Sequence, residues 1–236
     1  AEVAALKDRI ASMATSTMTA WSRLEVRSSE RFPARFRHSM CSIWDSEVAV
    51  IFGGESSIWG SLSDEGRLGD VWTLCLRTHT LERRHCFSRS GASGGLLGGL
   101  ASVLGRGREP LPPRAAHSAV YDAERRRMLI FGGEGSEETA RLLELDLDTF
   151  EWTSLDDART PAARKSHTAL VSRDAMWVFG GSLMGEGSSS GEVLAAGSTE
   201  EEEGGLWRYD LLTGDWKAMP ACPGGERYEH AAWLGG

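Results

Sequence analysis

The sequence predicts an all-β fold in which one supersecondary unit is used several times, and three observations predict it. The first is a phrase, Arg-x-x-His, followed by an apolar strand and a Gly-Gly doublet. It runs from Arg35 to His38 ahead of Gly53-Gly54, from Arg114 to His117 ahead of Gly132-Gly133, and from Arg164 to His167 ahead of Gly180-Gly181. The second is a downstream phrase, Leu74-Cys75-Leu76-Arg77-Thr78, Leu145-Asp146-Leu147-Asp148-Thr149 and Tyr209-Asp210-Leu211-Leu212-Thr213. The third is that the two phrases keep one register in all three copies, as a repeated unit does. A fourth Arg-x-x-His, Arg227 to His230, meets Gly235-Gly236 after only four residues.

These features resemble the kelch repeat, with its doublet after a hydrophobic strand, its apolar or aromatic pair on a third strand and its Trp on a fourth, in a unit of roughly 50 residues. The resemblance extends from Trp21 to the end of the sequence. It implies a kelch-type β-propeller of four-stranded antiparallel blades, with about three complete blades and partial blades at both ends. The blades are expected at about 33–87, 113–155 and 161–219, and partial strands at 19–26 and 227–236. Leu81 stands where the later copies carry Trp152 and Trp216.

Taken in order, residues 1–18 place Val3, Leu6, Ile10 and Met13 at helical spacing and read as a linker or short helix. Trp21 with Leu24 resembles the last strand of a blade. Pro33, Pro113 and Pro161 precede each first strand, where a missing N–H costs little and extended backbone is preset. Each doublet closes a second strand and admits positive φ and a close neighbouring backbone. The fourth-strand Trp is expected between one blade and the next, so that Trp to Ala there costs ~3–5 kcal/mol.

Bulk properties exclude several functions. A net charge of −8 argues against a nucleic-acid partner, because phosphate neutralisation needs clustered Lys and Arg. No apolar run approaches the ~20 residues of a membrane helix, so no membrane insertion is expected. Four irregularly spaced cysteines make no disulfide framework for so long a chain and point to an intracellular, cytoplasmic setting. The first residue is Ala1, which points to a piece of something longer.

Propellers close with typically 4–8 blades, and three and a fraction leave two raw faces. Either further blades lie outside this sequence or another chain supplies them, including the homodimer that joins two open halves. Because strands alternate in direction, the connections after strands two and four leave one face. That face carries the segments 55–69, 88–112 and 182–205, and binding residues concentrate on such loops. Trp59, Leu96 and Leu97 are partner-binding candidates within them. Glu200 to Glu203 make an acidic run in a Gly- and Ser-rich stretch.

Arg35, Arg114, Arg164 and Arg227 allow two readings. One guanidinium per blade at a channel mouth would form a cationic ring for a carboxylate or phosphate. Alternatively, each Arg and its His, namely His38, His117, His167 and His230, bond the backbone of the adjoining blade and hold the inner strand in register.

Catalytic formulas match only literally. Gly187 to Gly191 fits G-x-S-x-G without a strand entering a helix, and Gly94 to Gly99 lacks the Lys-Ser/Thr ending of a phosphate loop. Cys75, His79, His85 and Cys86 have no zinc-site spacing, so neither a metal nor another cofactor is expected. The reading is a non-enzymatic protein-binding module, an adaptor, scaffold or complex subunit acting through the loop face. The alternatives that the resemblance implies are a regulatory propeller attached to a catalytic domain such as a protein phosphatase, or a small-molecule-handling kelch enzyme.

Overall fold

A computed structural model describes residues 23–43, 45–56, 66–89, 110–135, 141–155, 159–183, 205–220 and 227–232. Among the described residues the chain is all β, without α-helix. The first sheet is formed by β1 (Ser39–Ile43), β2 (Val48–Phe52), β3 (Val71–Cys75) and β4 (Thr80–Arg84). Two short strands follow, β5 (Phe87–Ser88) and β6 (Arg114–Ala115). The second sheet contains β7 (Ser118–Asp122), β8 (Arg127–Phe131), β10 (Leu142–Asp146) and β11 (Glu151–Leu155), with the short β9 (Glu134–Gly135) after its doublet. After β12 (Arg164–Lys165), the third sheet is built from β13 (Thr168–Ser172), β14 (Ala175–Phe179), β16 (Leu206–Asp210) and β17 (Trp216–Met219), with β15 (Ser182–Leu183) at its doublet. Each sheet is an antiparallel meander of its four main strands in chain order. These are kelch-type blades, and they form part of a propeller rather than a closed barrel.

Register follows side-chain alternation. Cys41 pairs with Val50 and Val50 with Thr73 in the first sheet, while Tyr121 pairs with Met128 and Met128 with Leu145 in the second. Alternate residues therefore face opposite neighbours, and in the second sheet, which has a blade on each side, both faces are apolar. Cys41, Val50, Phe52 and Val71 of the first blade pack against Met128, Ile130, Leu143, Leu145 and Trp152 of the second. Val120, Leu129, Phe131 and Leu142 of the second meet Met176, Val178, Tyr209 and Trp216 of the third. The core thus lies in the seams, and Trp152 and Trp216 fill them as anticipated. Leu81 belongs to a separate cluster with Ile51 and Trp72, on the face of the first blade that no described blade covers. There Phe32 meets Trp72 edge-on at 5.2 Å, and the Arg35 guanidinium lies 4.4 Å from the Phe32 centroid.

The turns repeat as faithfully as the strands. Every non-glycine residue with positive φ falls at one of three repeat positions among the described residues. Glu47, Arg126 and Arg173 turn the first strand into the second; His79 and Phe150 sit at the third-to-fourth turn, where the last blade has Gly214; Arg37, Ala116, Ser166 and Glu229 precede or occupy the place before the repeated His. The outer edges of the first two blades are also covered. β5 runs parallel to β11, and Arg27 bridges Thr80 in parallel, donating its N–H to the His79 carbonyl. A covered edge cannot template pairing with another chain.

The ends differ from the expected partial strands. Residues 23–26 of the segment 19–26 form no strand, Leu24 and Val26 are 47% and 43% exposed, and pairing with the β4 edge begins only at Arg27. Residues 227–232 likewise form none, being held by the third blade instead. The helix-like segment 1–18, Trp21, most of the three long loops, Trp59, Leu96, Leu97, the glutamates at 200–203 and Gly235-Gly236 lie outside the described residues. Among the described residues no helix is long and apolar enough to cross a membrane.

Candidate interaction surface

The repeated Arg, His and Gly form a latch between blades. At the first seam the His117 Nε2 lies 2.7 Å from the Ser39 hydroxyl, and its ring stands edge-on to Phe52 at 5.0 Å. At the second, His167 meets Ser118 at 2.7 Å and Phe131 at 5.4 Å. His230 repeats the arrangement on the third blade, 2.9 Å from Thr168 and 5.2 Å from Phe179. The backbone completes it: the Gly54, Gly133 and Gly181 N–H groups donate to the Arg114, Arg164 and Arg227 carbonyls at 2.9, 2.8 and 2.7 Å. An inner ladder runs alongside, from the Ala116 N–H to Arg37, the Ser166 N–H to Ala116 and the Glu229 N–H to Ser166.

This geometry explains the doublets. A Cβ on Gly53 would lie 2.6 Å from the Arg114 carbonyl and 2.9 Å from the His117 ring, in a backbone with φ of 66°. One on Gly54 would meet its own blade, 2.7 Å from the Phe36 carbonyl and 2.8 Å from His38. The first Gly therefore admits the next blade, and the second admits the blade's own leading strand.

The four arginines do not form a cationic ring at a channel mouth. Arg114 and Arg164 are 0% exposed, and their guanidinium groups donate to the Gly132 and Gly180 carbonyls at 3.2 and 3.0 Å. Arg35 donates to Gly53 at 3.0 Å and holds Asp70 with two bonds at 2.8 and 2.9 Å. Burial opposes ionisation of Asp70, but Arg35 and the Trp72 indole N–H outweigh it and hold its carboxyl below the usual range. The second reading needs adjustment too. The Arg35, Arg114 and Arg164 side chains bond their own blade's doublet, the Arg carbonyls reach the adjoining blade, and each His meets a hydroxyl there, with the Phe131 backbone also bonding His167. Arg227 is exposed at its end of the array, 5.7 Å from the Phe179 centroid.

Burial dominates the electrostatics of the latch. It pushes His167 down to about 3, aided by the neighbouring Arg164, and drives His117 well below its ordinary value, aided by Arg114. Both rings are neutral at physiological pH, so each Nε2 either donates to or accepts from its hydroxyl according to the tautomer.

Beside the latch, positions that vary between blades make a second network. Glu55 and Glu134 follow their doublets, and Arg37 and Lys165 lie inside their Arg-x-x-His phrases. Arg37 bridges Glu55 at 2.8 Å and Glu134 at 3.0 Å, across the first seam; Lys165 reaches Glu134 at 2.5 Å, across the second. Glu55 is 1% exposed, and its second oxygen has no hydrogen-bond partner among the described residues. Burial opposes the Glu134 charge, but Arg37 and Lys165 outweigh it and hold its carboxyl below the usual carboxylate range. Glu229 also acts on Arg37 through its charge. This mixed-charge floor lies where the segments after the doublets depart. Its only trace in the sequence is variation beside the repeated phrase.

On the opposite side, a cleft of about 330 Å³ opens in the first seam, lined by Ile43, Val48, Thr73, Arg84, Arg126 and Phe150 among others. The register explains it. In the second seam the places of Ile43, Val48 and Thr73 are taken by Asp122, Arg127 and Glu144, which join through Arg127 and fill the space. Among the described residues, no group of three or more His, Cys, Asp or Glu is placed to hold a metal.

Repeated four-stranded sheets latched through a repeated seam define a propeller-type repeat protein. Residues 101–236, more than half of the chain, match the family described as the KLHDC2/KLHL20/DRC7 Kelch-repeats domain, and the chain belongs to this kelch family. It is 28% identical over 210 residues to host cell factor homolog hcf-1 of Caenorhabditis elegans, covering 85% of this chain and 24% of that protein. It is 37% identical over 84 residues to dynein regulatory complex subunit 7 of Chlamydomonas reinhardtii, covering 34% of this chain and 7% of that protein. Host cell factor 2 of Homo sapiens is 34% identical over 83 residues, 33% of this chain and 10% of that protein. The chain spans about a quarter or less of the length of these relatives.

Proposed function

We propose that this chain is a non-enzymatic protein-interaction module, serving as an adaptor, scaffold or complex subunit, and that it binds its partner over the doublet face. One observation carries the reading: the repeated Arg, His and Gly that meet at the two seams are consumed there, whereas positions not kept in all three blades, held by Arg37, Glu55, Glu134 and Lys165, meet as a charged floor beneath the loops. Binding specificity belongs to what differs between repeats, because what is common serves the unit. A relative whose name makes it a subunit of the dynein regulatory complex supports the reading. The free thiols of Cys41, Cys75 and Cys86 fit a reducing intracellular setting.

The test is affinity capture from the source cells with the chain, its Arg37→Glu/Lys165→Glu variant, and variants replacing 88–112 or 182–205 by short linkers, each checked for the wild-type unfolding midpoint. A partner retained by the wild type should be lost with the charge variant and with at least one loop variant. Undiminished capture by all of them would remove the doublet face from consideration.

A further inference from the structure

The cleft in the first seam lies on the side away from the doublets, and its volume of about 330 Å³ falls at the lower end of what small-molecule sites occupy. In the second seam the same space is closed by the Asp122, Arg127 and Glu144 cluster, with Arg127 also donating to the Leu211 carbonyl of the third blade. The walls of the open cleft are apolar, from Val48 and Val50 on the first blade to Leu147 and Phe150 on the second. Its rim carries chemistry. Arg84 is anchored by its Nε on the Thr73 hydroxyl at 2.9 Å, with Cζ 5.3 Å from the Phe150 centroid. Both rim cations already pair with carboxylates, Arg84 with Glu82 at 2.8 Å and Arg126 with Asp45 and Asp148 at 3.1 and 3.0 Å. An anionic ligand would meet those carboxylates and a cationic one the guanidinium groups, so the polar end that fits is neutral, a carbonyl oxygen accepting from Arg84. Cys75 also lines the cleft, half-buried and free of any disulfide, in the row that pairs it with Val48 and Thr80. It holds the turn position that Asp146 and Asp210 hold in the later blades. The Thr78 side chain and the Thr78 and Arg77 N–H groups bond its sulfur and keep the thiol below its ordinary value, whereas burial pushes Cys41 and Cys86 up to about 12. The thiolate is the nucleophilic form, and here it borders an apolar cavity.

We propose that this cleft binds small, uncharged, apolar α,β-unsaturated carbonyl compounds and presents them to Cys75, which they alkylate. The apolar chain lies on Val48, Val50, Leu147 and Phe150, the carbonyl oxygen accepts from Arg84, and the Cys75 sulfur attacks the β-carbon. One S–C bond forms as the C=C π bond breaks. Its electron pair passes to the carbonyl as an enolate, which takes a proton from water at the α-carbon, and the proton of the thiol has already left to solvent. No oxidant is consumed. The bound chain fills the space that Arg127 fills in the second seam.

Hexyl vinyl ketone and methyl vinyl ketone are the probes, because they share the reactive end and differ only in the apolar chain. Each is incubated at pH 7 with the chain and, separately, with glutathione, and adducts at each cysteine are followed by peptide mass spectrometry. At Cys75 the hexyl compound should react about tenfold faster than the methyl one, the worth of roughly two buried methylenes, and glutathione should show no such preference. The variant Ile43→Asp/Val48→Arg/Thr73→Glu, which installs the second-seam cluster in the first, should lose the preference while still reacting with methyl vinyl ketone. A preference at Cys75 no greater than that of glutathione overturns the proposal, since the thiol then reacts without a site. A preference that survives in the filled cleft overturns it as well. If the triple substitution lowers the urea midpoint, Val48→Met narrows the cleft with less disturbance and is read against the same two outcomes.

Discussion

Gly53 excludes a side chain for two separate reasons. Its φ of 66° strains any L residue, and its absent Cβ is the space through which the next blade brings the Arg114 carbonyl and the His117 ring. Gly214, with φ of 79°, has only the strain, since the nearest atom to its Cβ position is the Tyr209 hydroxyl at 3.5 Å. Gly214→Ala should cost ~1 kcal/mol, whereas Gly53→Ala should cost about 3 kcal/mol or more, because the seam must also part. Urea unfolding of the two variants measures the difference; equal losses would mean that the seam yields without cost. The doublets were legible in the sequence because glycine is the one residue whose absence of side chain can be read directly. Arg37, Glu55, Glu134 and Lys165 were not, since their meeting depends on which blade stands beside which, and pairing across a seam leaves no periodicity along the chain.

At the scale of the element, the third-to-fourth turn accounts for the second repeated phrase. Asp146 accepts the N–H groups of Asp148 and Thr149 at 2.9 and 2.8 Å, and Asp210 those of Leu212 and Thr213 at 2.9 and 3.0 Å. Short acceptors that bond backbone two and three residues on are what a tight turn selects. Burial opposes the Asp146 charge, yet these N–H groups prevail and hold it below the usual carboxylate range. The first blade has Cys75 in this place, a far weaker acceptor as a thiol. Asp146→Ala should therefore cost ~1–2 kcal/mol and Cys75→Asp should gain ~1 kcal/mol, both read from thermal or urea midpoints at pH 7. The Leu-x-Leu-x-Thr spacing disclosed the element, and the turn chemistry followed from it. The strand expected at 19–26 shows the limit: residues 23–26 lie in no strand, and the chain takes up pairing with β4 only at Arg27.

For the whole molecule, the seams decide stability, and their histidines make it sensitive to mild acid. Folded His167 is held at about 3 and folded His117 well below its ordinary value, first by burial and then by the adjacent Arg. In the unfolded chain both take a proton near ~6.5. Between these limits the unfolded state binds more protons, so stability is whole above about pH 6.5 and falls as pH drops below it. The loss is roughly 1.4 kcal/mol per pH unit for each buried histidine. Asp70, Glu134 and Asp146, lowered by their partners, act in the same direction but only at lower pH, below the carboxylate range. The interval from pH 7 to 5 thus isolates the latch. Over it the urea midpoint of the wild type should fall steeply, while a His117→Gln/His167→Gln variant, weaker at pH 7, should lose much less. A midpoint that holds steady to pH 5, or that falls equally in both proteins, would mean that the seams take up protons without opening. The blades would then be joined by their apolar contacts, backbone hydrogen bonds and ion pairs, with the histidine and hydroxyl pairs serving only to set the register.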